Sequence, residues 1–547
     1  MRLPVHCRGA IDLLPAVTAR ASVADRAALR VFQAGTIAVA LAAAPYKAFD
    51  LDRFFVPKEL VLHVTALVVT LLCLLQARRI ALGRADQLLG LFLALGAASA
   101  LFATNSWLAE RAVAISLSGA ACFWSARALS RAGLARPLLA ALAIATVIGA
   151  VTALLQAYGV RTEYVSLNRA PGGTYGNRNF MAHLCVIAFP ALMLVATTTQ
   201  SRKAFGWWAA AFALVAGALI LSRSRAAWLA LIVAAAVLVP LVFVALARGR
   251  TGLRLGRLLL LPLAAAIGAS AALVLPNTLD WRSDSPYMDT AKSVVNYKEG
   301  SGHGRLVQYG NTLKMSLHHP LLGVGPGNWA VEYPHFASDN DPSLSDDGMT
   351  SNPWPSSDWM TFESERGVAA ALLLGLALLA LVVDGMRGMR GAPTPEGRLA
   401  ACALVGTVAA LLVVGMLDAV LLLPAPALLS WALLGALAPV PRERAAVTLS
   451  IPTRALSLLI VAAVGALAIG RSATQLGAMS IFSNSSRTSQ LERASALDPG
   501  SYRIHLRLAE GYLRRGSCPR VRAHAGAARA LFPNAPQPKR LLAQCGR

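Results

Sequence analysis

Three kinds of side chain stand where an anion could be held and a proton moved. Guanidinium groups come first: Arg178, then Arg223 and Arg225 in Leu221-Ser222-Arg223-Ser224-Arg225-Ala226-Ala227-Trp228, then Arg305 after Gly304. Arginine offers a planar fork that fits a phosphate through two parallel hydrogen bonds. Charge beside a membrane span is costly, so Arg225 reads as a phosphate ligand, with snorkelling to lipid headgroups as the alternative. Arg305 reads either as an anion ligand at a helix start or as a surface arginine. Amides come next, in Gly172-Gly173-Thr174-Tyr175-Gly176-Asn177-Arg178-Asn179-Phe180. The glycines turn the chain, Asn177 or Asn179 caps the following helix, and Arg178 sits at its N-terminus, where backbone N–H groups favour an anion. His183, one turn on, reads as a buried, hydrogen-bonded histidine.

The third kind is the proton acceptor. Asp358 lies in Ser356-Ser357-Asp358-Trp359, just before a span, and the neighbouring Trp359 could raise its pKa into a useful range for a general base. Its other reading is a helix N-cap. Ser356 and Ser357 have no nucleophile elbow around them. Asp418, near the outer end of a span and followed by Pro424 and Pro426, is a second carboxylate at membrane depth. His318-His319-Pro320-Leu321-Leu322-Gly323-Val324-Gly325-Pro326-Gly327-Asn328 ends an amphipathic helix in a glycine-rich turn; it is not a P-loop, because no Gly-Lys-Ser/Thr follows. Asp339, Asp341, Asp346 and Asp347 lack EF-hand spacing and read as a solvated acidic loop, not a cation site.

These residues must be positioned by a membrane protein. The chain has 547 residues, 56% hydrophobic and 14% charged, with a formal net charge of +24. Apolar runs of about 17–25 residues recur, each able to cross a ~30 Å hydrocarbon core. We expect about 12–13 spans, near 30–46, 59–76, 86–104, 112–128, 137–158, 179–198, 204–221, 226–246, 256–276, 367–386, 399–421, 424–440 and 455–472. No cleavable signal peptide is evident at the N-terminus. The basic excess lies in short loops after even-numbered spans (Arg78, Arg79 and Arg84; Arg202 and Lys203; Arg248, Arg250 and Arg254; Arg442 and Arg444) and sets topology; it is no nucleic-acid footprint. The N-terminus is then cytoplasmic and the C-terminus periplasmic. Residues 277–366 carry twelve Asp and Glu against six Lys and Arg. They must fold in water on the outer side.

The expected class is all-α: a polytopic transmembrane bundle with a large periplasmic loop and a small helical tail. Its parts are a cytoplasmic segment 1–29, spans over 30–276, the loop 277–366, spans over 367–472, and a tail over 473–547. In the tail, Arg493-Ala494-Ser495-Ala496-Leu497-Asp498-Pro499 recurs as Ala527-Ala528-Arg529-Ala530-Leu531-Phe532-Pro533, 34 residues on, the period of a tetratricopeptide repeat. Little more than one repeat is present, so the tail reads as a helical cap. Cys518 and Cys545 are its only cysteines and are expected to pair in an oxidising compartment.

Together these motifs resemble the O-antigen ligase/Wzy-type polymerase family of membrane glycosyltransferases, over roughly residues 30–440. The resemblance rests on the Gly173–Phe180 run, Ser224-Arg225-Ala226-Ala227-Trp228, Arg305 and the His319–Asn328 run. It implies an undecaprenyl-diphosphate-linked glycan as donor and a glycan or lipid A-core as acceptor, with no cofactor and no metal. By the same resemblance, Arg225 and Arg305 hold the donor diphosphate. Arg178, Arg223, Asn177, Asn179, His319 and Asn328 bind substrate. The family's loop histidine falls on Ser356 here, so Asp358 becomes the expected base, with His335, His319 and Glu365 behind it. A transporter is the competing class. It would show inverted repeats and polar residues at mid-membrane, whereas the polar motifs here crowd one side.

Overall fold

The computed structural model describes residues 21–49, 51–166, 169–247, 255–293, 300–338, 340–345, 348–440 and 446–546. Arg248, Arg250, Arg254, Arg442, Arg444, Asp339, Asp346 and Asp347 lie outside the described residues. The long helices of the first half are α1 (Val23–Leu41), α2 (Asp52–Gln76), α3 (Arg84–Ala100), α4 (Ser106–Arg131), α5 (Ala135–Ala157), α6 (Arg178–Thr198), α7 (Arg202–Ser222), α8 (Arg225–Ala247) and α9 (Leu255–Val274). The expected outer loop holds α10 (Pro286–Lys292), α11 (Gly300–His318), α12 (Trp329–Phe336) and α13 (Asp358–Arg366). Then come α14 (Val368–Gly391), α15 (Pro395–Leu417), α16 (Pro424–Leu437) and α17 (Ile451–Asn484), and a tail of α18 (Thr488–Leu497), α19 (Tyr502–Leu513), α20 (Cys518–Leu531) and α21 (Pro536–Gln544). Among the described residues the only sheet is a short antiparallel pair, β1 (Arg79–Ala81) with β2 (Ala446–Thr448).

The protein is thus an all-α polytopic bundle. Each of the thirteen expected spans falls on a helix, but ten of these are long and apolar enough to cross a membrane. The exceptions have physical causes. Helix α1 starts seven residues before the expected span, locked by a capping box between Ser22 and Asp25, and so takes Asp25, Arg26 and Arg30 into its first turns. Helix α3 has 17 residues. Helix α15 stops at Leu417, and after a break α16 has only 14 residues. All of α16 is buried, Trp431 packing edge-on against Phe123 of α4. Charges on the spans pair with each other: Arg111 Nε donates to Glu59 at 2.7 Å, and Arg127 bonds Asp86. A buried charge is tolerated only when partnered in this way.

Helix α17 runs unbroken for 34 residues, about 50 Å at 1.5 Å per residue. That exceeds a ~30 Å core, and the expected boundary at 472/473 falls inside the helix. Its far end joins the tail: Ala478, Met479 and Phe482 pack with Leu491, Ala494, Ile504 and Leu508 and with Phe49 from the α1–α2 connection. The tail also touches the loop, where Asn534 Nδ2 donates to the Val331 carbonyl at 3.2 Å, and the α3–α4 connection, where Asn105 Nδ2 donates to the Leu531 carbonyl at 3.3 Å.

Cys518 and Cys545 form a disulfide, joining the start of α20 to the end of α21 across 27 residues. Closing a loop of this size restricts the unfolded chain and stabilises by about 2–4 kcal/mol. Reduction, or Cys518→Ser, should therefore speed proteolysis within α20–α21 without changing cleavage in α1–α16. Identical tail cleavage with and without reductant would show that the bond carries no such load.

Candidate active site

The glycine-rich run after α11 is a scaffold. Residues Pro320–Asn328 wrap the C-terminal end of α13. Val324 N–H donates to the Ser364 carbonyl and Gly325 N–H to that of Glu365, both at 2.9 Å. The Glu365 carboxylate accepts from Gly327 N–H at 2.7 Å and Trp329 N–H at 3.1 Å, capping α12. Burial pushes that carboxyl up to about 7, and the two N–H groups pull against it. Gly323 and Gly367 both have positive φ, and a Cβ on either would collide with the opposing backbone, at Glu365 and Leu321 respectively. Asn328, expected to bind substrate, is fully buried. Its Oδ1 accepts from Asn105 N–H at 2.7 Å, and its Nδ2 donates to the carbonyls of Asn105 and Pro326. Every polar atom of its side chain is spent on the backbone. Asp341 is likewise buried, accepting from Asn311, Tyr333 and the Ser343 N–H, so this member of the acidic run is not solvated.

A cleft of 450 Å³ opens beside this scaffold. Asn177, Asn179, Arg169, Arg305, Ser356 and Asp418 line it. Asn177 is the N-cap of α6, its Oδ1 accepting from the Asn179 backbone N–H at 3.0 Å, which fixes the Asn177 side chain at the mouth of that helix. Gln308, one turn after Arg305 on α11, accepts from Ser356 N–H at 2.8 Å and ties the two walls together. Arg305 is half-buried and has neither a hydrogen bond nor an ion pair among the described residues. Arg169 was not singled out from the sequence; its only signal is its place just upstream of the Gly172-Gly173 turn.

The other expected residues lie elsewhere. Arg178 and Arg223 both stack on Trp281, at 4.9 and 4.6 Å from its ring centre. Arg223 takes a left-handed backbone at the α7–α8 turn, and its Nε donates to Thr290 Oγ1 at 2.8 Å. Arg225 Nη1 donates to the Ser293 carbonyl at 2.9 Å. Arg223 and Arg225 fasten α10 to the α7–α8 turn, Arg178 holds the start of α6 to Trp281, and none of the three lines the cleft. His319 is exposed in a separate hollow of 480 Å³ between α11, α12 and the tail, with His318, Glu332, His335 and Asn534.

Asp358 does not line the cleft either. It is fully buried, and both carboxylate oxygens are occupied: Oδ1 accepts from Val420 N–H at 2.9 Å and Leu421 N–H at 3.2 Å, Oδ2 from Leu421 N–H at 3.0 Å. The N-cap of α13 is Ser357, whose Oγ also donates to the Gly415 carbonyl at 3.0 Å. Trp359 Nε1 donates to the Leu412 carbonyl and Tyr309 OH to that of Met416. The start of α13 thus clamps the end of α15 and the break after it. That break presents Asp418, the carboxylate that does reach the cleft. Burial pushes the Asp358 carboxyl up to about 7, opposed by the Leu421 and Val420 N–H groups.

Asp358→Asn should unsettle this clamp, because an amide offers one acceptor oxygen and turns an NH₂ toward backbone donors. Unsatisfied buried N–H groups cost about 1–3 kcal/mol. The expected result is a lower Tm of the detergent-solubilised protein, measured with no substrate present; an unchanged Tm would remove Asp358 from this structural role.

Residues 210–374 match the family model Wzy_C, described as O-antigen ligase. No curated protein matches the chain. The matched stretch begins within α7, takes in Arg223, Arg225, Arg305 and Asp358, and ends in α14, short of Asp418. With the bundle, the loop helices and the arginine-bearing cleft in place, residues 210–374 of this polytopic membrane protein are similar to the O-antigen ligase family.

Proposed function

We propose that the protein is a glycosyltransferase of the bacterial inner membrane. It moves a glycan from undecaprenyl diphosphate to a hydroxyl of lipid A-core or another acceptor glycan, at the periplasmic face. The orientation follows from the basic loops, with the N-terminus inside and the C-terminus outside. The observation that carries the reading is the Arg305 cleft. It joins a half-buried guanidinium that has no hydrogen bond or ion pair among the described residues to two amides and a carboxylate, beside a membrane-spanning bundle. A departing diphosphate needs its charge neutralised, and a preorganised guanidinium does this without any metal. Asn177 and Asn179 offer hydrogen bonds to sugar hydroxyls or phosphate oxygens. Arg178, Arg223 and Arg225 form a second basic patch around Trp281 and α10.

The cellular test is glycan profiling of a deletion strain. Loss of glycan from the lipid A-core with lipid-linked polymer retained supports a ligase. Accumulated single repeat units would mean a polymerase, and an unaltered glycan profile would reject both.

The two expected diphosphate ligands are not equivalent. Lysine keeps the charge but loses the fork. Arg305→Lys should lower transfer by about 10²–10³-fold, the usual cost of removing one preorganised charge-stabilising donor. Arg225→Lys, whose wild-type guanidinium already holds the Ser293 carbonyl, should lower it by about tenfold or less. Initial rates of membrane preparations, normalised to protein level, measure both. Equal losses would place Arg225 at the phosphates too.

A further inference from the structure

We propose that Asp418 is the group that takes the proton from the acceptor hydroxyl, and that Asp358 acts through it as a positioning residue. The inference rests on the glycosyl-transfer reading above. Attack on a glycosyl diphosphate needs a proton acceptor beside the incoming hydroxyl. Among the described residues lining the Arg305 cleft, Asp418 is the only carboxylate, and none is a histidine. The other candidates are spent or misplaced. Glu365 and Asp358 are fully buried with their oxygens on backbone N–H groups, and His319 and His335 line the hollow beside the tail.

Asp418 is built for presentation. Helix α15 ends at Leu417, and Asp418 is its C-cap in an extended conformation. Non-helical backbone at membrane depth survives only where protein or a water-filled cavity receives it. Both conditions hold here. Asp358 satisfies the freed N–H groups of Val420 and Leu421, and the cleft receives the Asp418 side chain. Asp418 Oδ1 accepts from Ala419 N–H at 2.9 Å, which fixes its rotamer. Oδ2 has no hydrogen bond among the described residues and lies 4.0 Å from Nε2 of His183, itself 3.4 Å from Ser224 Oγ. One oxygen is anchored and the other is available.

In the step, the acceptor O–H proton passes to Asp418 as the acceptor oxygen bonds the anomeric carbon. The bond from that carbon to the diphosphate oxygen breaks, and the electron pair leaves with the polyprenyl diphosphate, whose charge Arg305 balances. Asp418 then returns its proton to solvent.

The test uses the full-length protein in nanodiscs, a polyprenyl-diphosphate-linked glycan as donor and a lipid A-core acceptor. Asp418→Asn should retain donor binding within about threefold of wild type while kcat falls by about 10²–10⁴-fold, the usual contribution of a positioned base. Asp418→Ala should regain part of its transfer when formate supplies the missing carboxylate; a structural defect would not. Wild-type turnover in either variant, donor binding lost in parallel with transfer, or no response of the alanine variant to formate each overturns the assignment while leaving the transferase reading intact. A wild-type protein that neither binds nor turns over the lipid-diphosphate donor overturns the transferase reading itself, and this assignment with it.

Discussion

Backbone amides cannot be left unpaired in a low-dielectric interior, and here that constraint bears on the six residues between α15 and α16. The chain leaves helical geometry at Asp418 while still surrounded by packed helices. The N–H groups freed at Val420 and Leu421 would each cost several kcal/mol in hydrocarbon. The Asp358 carboxylate answers both. Ser357, Trp359 and Tyr309 bond carbonyls of the last turns of α15. Because α13 is itself held by the glycine strap, a distortion at Gly323 or Gly367 would reach the cleft through α13 without touching any residue that lines it.

This explains why the motifs and the site only partly coincide. The Gly323–Asn328 run and Glu365-Arg366-Gly367 stand out in the sequence, yet they interlock with each other. Arg366 is buried between Phe92 and Phe362, its Nη2 on Ser116 Oγ at 2.7 Å. Close-packed backbone demands particular residues as strongly as chemistry does. Motifs of this kind mark where a loop must fold one way.

Much of the architecture was legible because burial in lipid imposes a simple rule on composition. Thirteen apolar runs became thirteen helices, and the Cys518–Cys545 pair became a disulfide. Helix ends were less legible. The Ser22–Asp25 box extends α1, and α17 continues through 472/473 because nothing in Gly470-Arg471-Ser472-Ala473 stops a helix. Arg305, Asn177 and Asn179, which belong to separate motifs in the sequence, line one cleft. Asp358 was not readable: its partners are some sixty residues away, and a carboxylate beside a tryptophan before a span looks the same whether it faces substrate or backbone. Asn328 turns to the backbone and His319 to the hollow beside the tail. Proximity in a motif says little about which way a side chain turns after a glycine-rich bend. Asp418, next to Pro424 and Pro426, carried the better signal, an acidic residue where a helix had to break.

Helix α16 bears on how the protein is made. Fourteen residues give about 21 Å, too little for a ~30 Å core, and every one of them contacts protein and not lipid. Such a segment has no stable resting place in a bilayer by itself. It can settle only against α4 and its neighbours once they are assembled. The cleft that Asp418 lines, which hangs from the turn leading into α16, is therefore among the last parts to take shape during biogenesis, and a nascent chain stalled before α16 would carry the loop and its motifs without the completed cleft.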